Sequence, residues 1–133
     1  MTVATPGQKT ILVIEDDPWT RTITTALLAG EGFAVVEAKN GEEGLLKARQ
    51  HDPDAVLLDL ALPTKSGLEV LRELKSDVST ESIPVIVVSA YGSLMSDTDT
   101  HQTAGVIQKP FDYDDLVGQV ERATALQYEV ALT

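Results

Sequence analysis

Short apolar runs recur along the chain, and longer segments of mixed polarity separate them. The runs cover residues 10–14, 33–37, 55–58, 84–88 and 106–107. Each intervening segment is long enough to hold a helix, and this alternation is typical of parallel strands joined by crossover helices. The run at 85–88 is continuously apolar, which indicates helices on both faces of the sheet. We therefore predict an α/β fold with a doubly wound, five-stranded parallel sheet.

Helical spacing of apolar residues predicts which faces of the intervening segments are buried. Pro18 suits the first turn of the first helix, whose predicted inward face consists of Ile23, Ala26, Leu27 and Gly30. The third helix begins at Ser66, which has capping-box spacing to Glu69, and its predicted buried residues are Leu71, Leu74 and Val78. The last helix opens at Asp112, and its predicted buried residues are Tyr113, Leu116, Val117 and Val120.

The segment 92–104 reads GSLMSDTDTHQTA and offers few apolar positions. A fourth helix in this segment is therefore predicted to be short or irregular. Asp97-Thr98-Asp99 lacks the glycine and terminal glutamate of a calcium loop, so we interpret it as a solvated stretch. We also interpret His51 and His101 as exposed, and Trp19 and Tyr113 as packing residues.

Composition narrows the classes of function. The 133 residues fit one domain, and we expect a flexible leader over 1–9, the domain over 10–125 and a C-terminal tail over 126–133. A net charge of -11 argues against direct binding of nucleic acid or of an anionic membrane surface. The absence of cysteine excludes disulfides and thiolate chemistry. No secretory signal or membrane span is apparent, so we expect a cytoplasmic protein.

Polar side chains follow four of the five apolar runs, at the point where each predicted strand ends. They are Glu15, Asp16 and Asp17 after the first run, Asp59 after the third, Ser89 after the fourth and Lys109 after the fifth. Ligands of open parallel sheets bind at the carboxyl ends of the strands. If the first, third, fourth and fifth strands are neighbours, these side chains converge on one crevice.

Several carboxylates in one crevice repel each other, so a cation must neutralise them or one must take up a proton near neutral pH. Mg²⁺ answers this need because it prefers oxygen ligands, uses one or two protein carboxylates and leaves positions for phosphate. Lys109 and the hydroxyl of Ser89 would hold phosphoryl oxygens that the metal does not reach. The set therefore points to phosphoryl transfer onto a carboxylate.

Taken alone, each of these residues has a plain structural interpretation. The ordinary roles are a strand or helix cap for Asp59, Asp16, Asp17 and Ser89, and a surface charge for Lys109. For Asp17 the cap is the favoured interpretation. For the others, only their convergence on one crevice favours chemistry.

The ordered set of motifs resembles the response regulator receiver-domain family of two-component signalling. It consists of ILVIEDD at 11–17, VLLD at 56–59, LP at 62–63 with Gly67, VSA at 88–90 and KPF at 109–111. The resemblance spans nearly the whole chain. It implies a flavodoxin-like (βα)5 fold with strand order 2-1-3-4-5.

The resemblance also assigns roles to the crevice residues. Asp59 would be the phosphoacceptor, Asp16 would bind Mg²⁺ directly, and Glu15 would assist through a bound water. Ala61 would offer its backbone carbonyl to the metal. Ser89 would move toward the phosphoryl group while Lys109 pairs with it, and the Lys109–Pro110 bond would be cis.

The same resemblance implies partners and a mode of action. The donor would be a phosphohistidine on a sensor histidine kinase or a histidine phosphotransfer protein, and the phosphorylated domain would switch its affinity for a downstream protein. The chain would be a stand-alone signalling module, with no turnover beyond its own phosphorylation and dephosphorylation. Two features depart from the family: Val106 replaces a usual aromatic residue, and the segment 89–109 is shorter than expected.

Three alternatives remain open. A receiver-like scaffold that is never phosphorylated is compatible with the altered segment around Val106. An aspartyl-nucleophile phosphatase resembling the haloacid dehalogenases would need an acid at Ala61. A flavodoxin-like flavin carrier would need a phosphate-binding loop after the first strand, where this chain has acids.

Overall fold

The computed structural model describes residues 5–90 and 95–132, in which strands and helices alternate. The strands are β1 (Thr10–Ile14), β2 (Ala34–Ala38), β3 (Ala55–Asp59), β4 (Val85–Ser89) and β5 (Gly105–Gln108). The helices are α1 (Pro18–Gly30), α2 (Gly41–His51), α3 (Gly67–Ser76), α4 (Asp97–His101) and α5 (Tyr113–Leu132). All strand pairs are parallel, in the order β2-β1-β3-β4-β5. The predicted fold class and strand order are confirmed.

Two apolar clusters cover the two faces of the sheet, as a doubly wound fold requires. Alternate residues of β1 separate to the two sides, because successive side chains of a strand point to opposite faces. Leu12 and Ile14 join the cluster that contains residues of α2 and α3. Ile11 and Val13 join the cluster that contains residues of α1 and α5. The rigid strands therefore present their carboxyl ends at one edge of a packed core.

Short polar side chains start the helices by accepting hydrogen bonds from otherwise unpaired amides. Asp17 accepts from the Thr20 amide at 2.8 Å, which confirms its predicted role as a cap. Ser66 accepts from the Glu69 amide at 3.2 Å, as the capping-box spacing predicts. The entry of the chain into α1 and α3 is thereby fixed close to the ends of β1 and β3.

The predicted inward face of α1 is wrong except at Leu27, which is partly buried and packs against the core. Thr24 and Leu28 are its buried residues, whereas Ile23 is exposed. Trp19, predicted to pack, is 73% exposed. The helix is therefore rotated by about one residue from the predicted phase, since neighbouring positions are about 100° apart around a helix.

Two other buried positions were also predicted wrongly. Val78 is 85% exposed because α3 ends at Ser76 and Asp77 continues in an extended conformation. Tyr113 is 42% exposed because it is the first residue of α5. The remaining predicted core positions of these two helices are buried: Leu71, Leu74, Leu116, Val117 and Val120.

The prediction of a short fourth helix is confirmed, since α4 has five residues. Residues 92–94 of the segment in which it was predicted lie outside the described part of the chain. The interpretation of 97–99 as a solvated stretch is wrong at Asp99, which is buried. Its two carboxylate oxygens accept from the Nε and Nη2 atoms of Arg72 at 3.1 and 2.9 Å. Bidentate pairing with α3 therefore holds a helix that is too short to be stable alone.

The C-terminal helix extends further than the predicted domain. The boundary placed at residue 125 lies inside α5, which continues to Leu132. Within the residues that the structure describes, we find no helix long and apolar enough to cross a membrane. His51 and His101 are exposed, as predicted.

Candidate functional site

Three of the predicted site residues meet at the carboxyl edge of the sheet. Glu15 follows β1 directly, Asp59 ends β3, and Lys109 follows β5. The Nζ atom of Lys109 donates to Glu15 Oε1 at 2.9 Å and to Asp59 Oδ2 at 3.0 Å. Both carboxyl groups are buried, while the lysine is partly exposed. One cation thus bridges two buried acids that are distant in sequence.

The backbone around Asp59 is held by several hydrogen bonds. Asp59 Oδ1 accepts from the amide of Ala61 at 3.0 Å, so both of its carboxylate oxygens have a donor. The Leu60 amide donates to the carbonyl of Val88, and the Gly67 amide donates to the carbonyl of Leu60, each at 3.0 Å. The strand end that carries Asp59 is therefore tied both to β4 and to the start of α3.

Gly67 allows α3 to begin directly against the end of β3. A Cβ atom at this position would lie 2.5 Å from Leu60 Cα and closer still to the carbonyl oxygen of Asp59. Real side chains do not approach backbone atoms this closely. The close approach of α3 to Asp59 therefore depends on the absence of a side chain at Gly67.

The third acid, Asp16, completes a group that suits a hard divalent cation. One carboxylate oxygen from each of Glu15, Asp16 and Asp59 can be chosen such that all three lie within 4.8 Å of one another. Asp16 is exposed, whereas the other two are buried. Mg²⁺ takes oxygen ligands in an octahedron of small radius and retains water at positions that face solvent. The three oxygen donors, one of them on an exposed acid, therefore fit Mg²⁺.

Burial and mutual repulsion perturb the protonation of this site. Burial is the main reason why the pKa of Glu15 rises to about 7, and the hydrogen bond and charge of Asp59 add to it, while Lys109 acts in the opposite direction. Burial also opposes the charged form of Lys109, but its bonds to the two acids outweigh this and raise its pKa. One lysine therefore does not fully compensate two buried carboxylates, in line with the repulsion expected from the sequence.

Ser89 and Ala61 lie beside this group. Ser89 is the last residue of β4, and its carbonyl accepts from the Lys109 amide at 2.8 Å. Ala61 follows Asp59 by two residues and contacts it through its amide. The Lys109–Pro110 bond is cis, as the resemblance implies. The roles predicted for the Ser89 hydroxyl and the Ala61 carbonyl stay predictions.

Sequence reasoning missed one residue of this region. Arg21 of α1 donates from Nη1 to the carbonyl of Glu15 at 2.8 Å and to that of Asp16 at 3.4 Å. No sequence pattern marks it, because its acceptors are main-chain atoms. The one signal that could have found it is its position in the first turns of the helix that follows the acids.

A parallel sheet in this order, with three acids and a lysine at its carboxyl edge, defines the class of phosphoryl-receiving signalling domains. The model of the response regulator receiver domain matches residues 11–121. The chain belongs to this family.

Two relatives are similar to this chain over much of its length. Protein PilH of Pseudomonas aeruginosa is 36% identical over 117 residues, which cover 88% of this chain and 91% of that protein. The polar-differentiation response regulator DivK of Brucella anthropi is 39% identical over 83 residues, which cover 62% of this chain and 68% of DivK.

Solved structures agree with the fold. A CheY-like response regulator receiver domain protein from Methanospirillum hungatei superimposes with a TM-score of 0.83 at 26% identity, covering 92% of this chain and 98% of that one. The receiver domain of a sensor histidine kinase from Pseudomonas aeruginosa gives 0.80 at 25% identity, covering 90% and 99%. That structure has a magnesium ion coordinated in its active-site cleft. Receiver domains thus bind Mg²⁺ at this place, and the acids of this chain are suited to it.

Proposed function

We propose that Asp59 accepts a phosphoryl group in the presence of Mg²⁺, and that this modification switches the binding of a partner protein. The observation that carries the proposal is the bridge of Lys109 between Glu15 and Asp59, with Asp16 completing the acidic group. Glu15, Asp16 and Asp59 would hold the ion, together with the carbonyl of Ala61. When bound, Mg²⁺ would supply positive charge to the phosphoryl oxygens.

The chemistry at Asp59 is a transfer between two nucleophiles. A carboxylate oxygen forms a bond to phosphorus, the bond from phosphorus to the donor imidazole nitrogen breaks, and its electron pair returns to the imidazole, which takes up a proton. The product is an aspartyl phosphate and a neutral histidine. Lys109 would pair with the phosphoryl oxygens, because its ammonium group already lies 3.0 Å from Asp59 Oδ2.

A largely apolar groove beside Lys109 gives a donor protein a place to dock. The groove has a volume of about 410 Å³ and is lined by Thr20, Ile23, Ala90, Lys109, Pro110 and Phe111. Exposed apolar side chains next to a reactive group are typical of protein contacts. We propose that the donor is a phosphohistidine on a sensor histidine kinase or a histidine phosphotransfer protein, which covers this groove during transfer.

The enzymatic alternatives are less well supported. A phosphatase of the haloacid dehalogenase kind needs an acid two residues after the nucleophile, and that position is Ala61, whose amide donates to Asp59. We propose a signalling module with no turnover of an independent metabolite. The cytoplasmic setting stays a prediction from the sequence.

The proposal is tested by the mass of the intact protein after incubation with acetyl phosphate and Mg²⁺. We expect one added phosphoryl group, which is absent in Asp59→Asn and in a sample with chelator. Asp97→Asn, at an exposed acid of α4, is the matched control and should be modified as the wild type is. The same samples are then offered a phosphorylated histidine protein as donor.

The scaffold alternative is supported by Val106, which is exposed and provides no aromatic side chain that could swing inward. Failure of both donors to modify the wild type would contradict the phosphoacceptor proposal and favour the scaffold. Modification that persists in Asp59→Asn would instead contradict the choice of residue.

A further inference from the structure

The side chain of Arg21 runs back from α1 beneath the loop that carries two of the three acids. Its Nη1 atom donates to the carbonyl oxygen of Glu15 at 2.8 Å and, at the longer distance of 3.4 Å, to that of Asp16. Its Nε atom contacts Glu37 Oε1 at 3.3 Å. Only 19% of the side chain is exposed. A largely buried arginine thus connects the metal-binding loop to the neighbouring strand β2.

These two carbonyl groups control where the side chain of Asp16 points. The peptide that contains the Glu15 carbonyl precedes the Asp16 Cα atom, and the peptide that contains the Asp16 carbonyl follows it. Each peptide unit is planar, so fixing both carbonyls fixes φ and ψ of the residue between them. The direction of the Cα–Cβ bond follows from φ and ψ. Arg21 therefore sets the orientation of an exposed acid without contacting its carboxylate.

Arginine is well suited to this task. Its planar guanidinium presents several donors in a fixed arrangement, and hydrogen bonds from a charged donor are stronger than neutral ones. Glu37 lies near the carboxyl end of β2 and is paired in register with Val13 of β1. The backbone of Glu37 is therefore fixed on the sheet, and its carboxylate lies where it can orient Arg21.

Within the part of the chain that the structure describes, other contacts hold the two ends of the loop. The Glu15 amide donates to the carbonyl of Ala38 at 3.0 Å, and the Asp17 carboxylate caps α1. The Asp17 amide donates to Glu15 Oε2 at 3.2 Å, a bond that requires the loop to keep its shape. The contacts of Arg21 fall between these two fixed ends.

We propose that Arg21 is a positioning residue of the metal site, which holds the loop of Glu15 and Asp16 in the shape that binds Mg²⁺. The inference rests on the proposed function in one respect only, namely that these acids bind the ion. The shape of the loop without metal is a separate matter and can be measured separately.

The first measurement is amide hydrogen exchange in the metal-free protein. Arg21→Gln should speed the exchange of the Asp17 amide, because the bond of that amide to Glu15 depends on the shape of the loop. Arg49→Gln is the matched control, since Arg49 forms an exposed ion pair with Asp77 far from the site along the chain. It should leave the Asp17 amide unchanged. Thermal unfolding shows whether each variant is folded.

The second measurement is Mg²⁺ affinity by calorimetry. Loss of groups that orient metal ligands typically weakens affinity by about 10- to 100-fold, and we expect a value near the lower end for Arg21→Gln because the ligands themselves remain. Glu37→Gln should act in the same direction with a smaller effect, since it removes the negative charge that pairs with Arg21 but keeps an oxygen that can accept from Nε. Arg21→Lys keeps the charge and should recover only part of the affinity, because one ammonium group cannot reproduce the fixed arrangement of donors in a guanidinium group.

The third measurement separates positioning from chemistry. In phosphorylation by acetyl phosphate, Arg21→Gln should raise the Mg²⁺ concentration at half-maximal rate while the rate at saturating Mg²⁺ stays near that of the wild type. Unchanged exchange of the Asp17 amide together with unchanged Mg²⁺ affinity would overturn the inference. If wild-type protein bound no Mg²⁺, the proposed function would fail, whereas the exchange data would still decide whether Arg21 shapes the loop.

Discussion

Replacement of Gly67 by alanine tests how closely α3 is packed against the phosphoacceptor strand. The added Cβ would lie 2.5 Å from Leu60 Cα and even closer to the carbonyl oxygen of Asp59. Ordinary van der Waals contact begins near 3.4 Å. Both neighbours are backbone atoms, so relief requires that α3 or the end of β3 moves.

The expected loss of stability can be worked out from these contacts. Overpacking a rigid site costs about 1 to 3 kcal/mol, and backbone neighbours place Gly67→Ala at the upper end of this range. Alanine restricts the unfolded chain and returns about 0.4 to 1 kcal/mol. The net loss should be about 2 kcal/mol, which lowers Tm by about 6 to 8 °C for a domain of this size.

Two other glycines supply matched controls. At Gly44 the nearest atoms to an added Cβ belong to the buried side chain of Ile14, with Cδ1 at 2.5 Å, so that a side chain and not the backbone has to shift. At Gly30 nothing lies within 4 Å. Urea unfolding should therefore rank the alanine variants with Gly67 least stable, Gly44 intermediate and Gly30 equal to or above wild type. Equal stability of the Gly67 and Gly30 variants would refute the reasoning.

Three further predictions concern the side chains of Glu15, Asp99 and Thr80. In the presence of chelator, the urea midpoint of the wild type should fall as pH rises from 4.5 through about 7, because the folded pKa of Glu15 is raised and its protonated form is favoured. The urea midpoint of Glu15→Gln should lack this decline. The hydrogen bond from Arg72 lowers the pKa of Asp99 to about 2, so the stability that Asp99 contributes is lost as pH falls from 3.8 through about 2. Acid unfolding of Asp99→Asn should lack that loss. Thr80→Val should cost about 1 to 2 kcal/mol in urea unfolding, because the buried Thr80 hydroxyl donates to the Leu74 carbonyl at 2.7 Å; an unchanged midpoint would contradict this.

The strands and the acidic group could be predicted because both follow from where the apolar runs end along the chain. Buried parallel strands are continuously apolar, so their ends are visible in the sequence, and the sheet brings their carboxyl ends to one edge. The convergence of Glu15, Asp59 and Lys109 therefore follows from sequence reasoning, and the observed hydrogen bonds agree with it. The predicted bounds of the strands differ from the observed ones by at most one residue at either end.

The helix faces were less predictable, since several phases fit the same sequence. In α1 Thr24 is buried although it counts as polar, whereas the apolar Ile23 lies at the surface. In α3 the helix ends before the expected Val78, a length that tertiary packing decides. Contacts over long separations, such as Arg72 with Asp99, leave no periodic trace at all.

The charges of the site link the metal to the phosphoryl group. Glu15 and Asp59 share one lysine, and burial together with the neighbouring Asp59 still raises the pKa of Glu15. A phosphoryl group on Asp59 would bring the charge of that side chain to about -1.5 to -2 near neutral pH, if it resembles other phosphorylated side chains. Lys109 cannot balance that alone. Each ligand should therefore bind more tightly in the presence of the other, by the same factor in both directions. Mg²⁺ affinity measured with and without a phosphoryl analogue would reveal this coupling, and equal affinities would show that the two do not share the pocket.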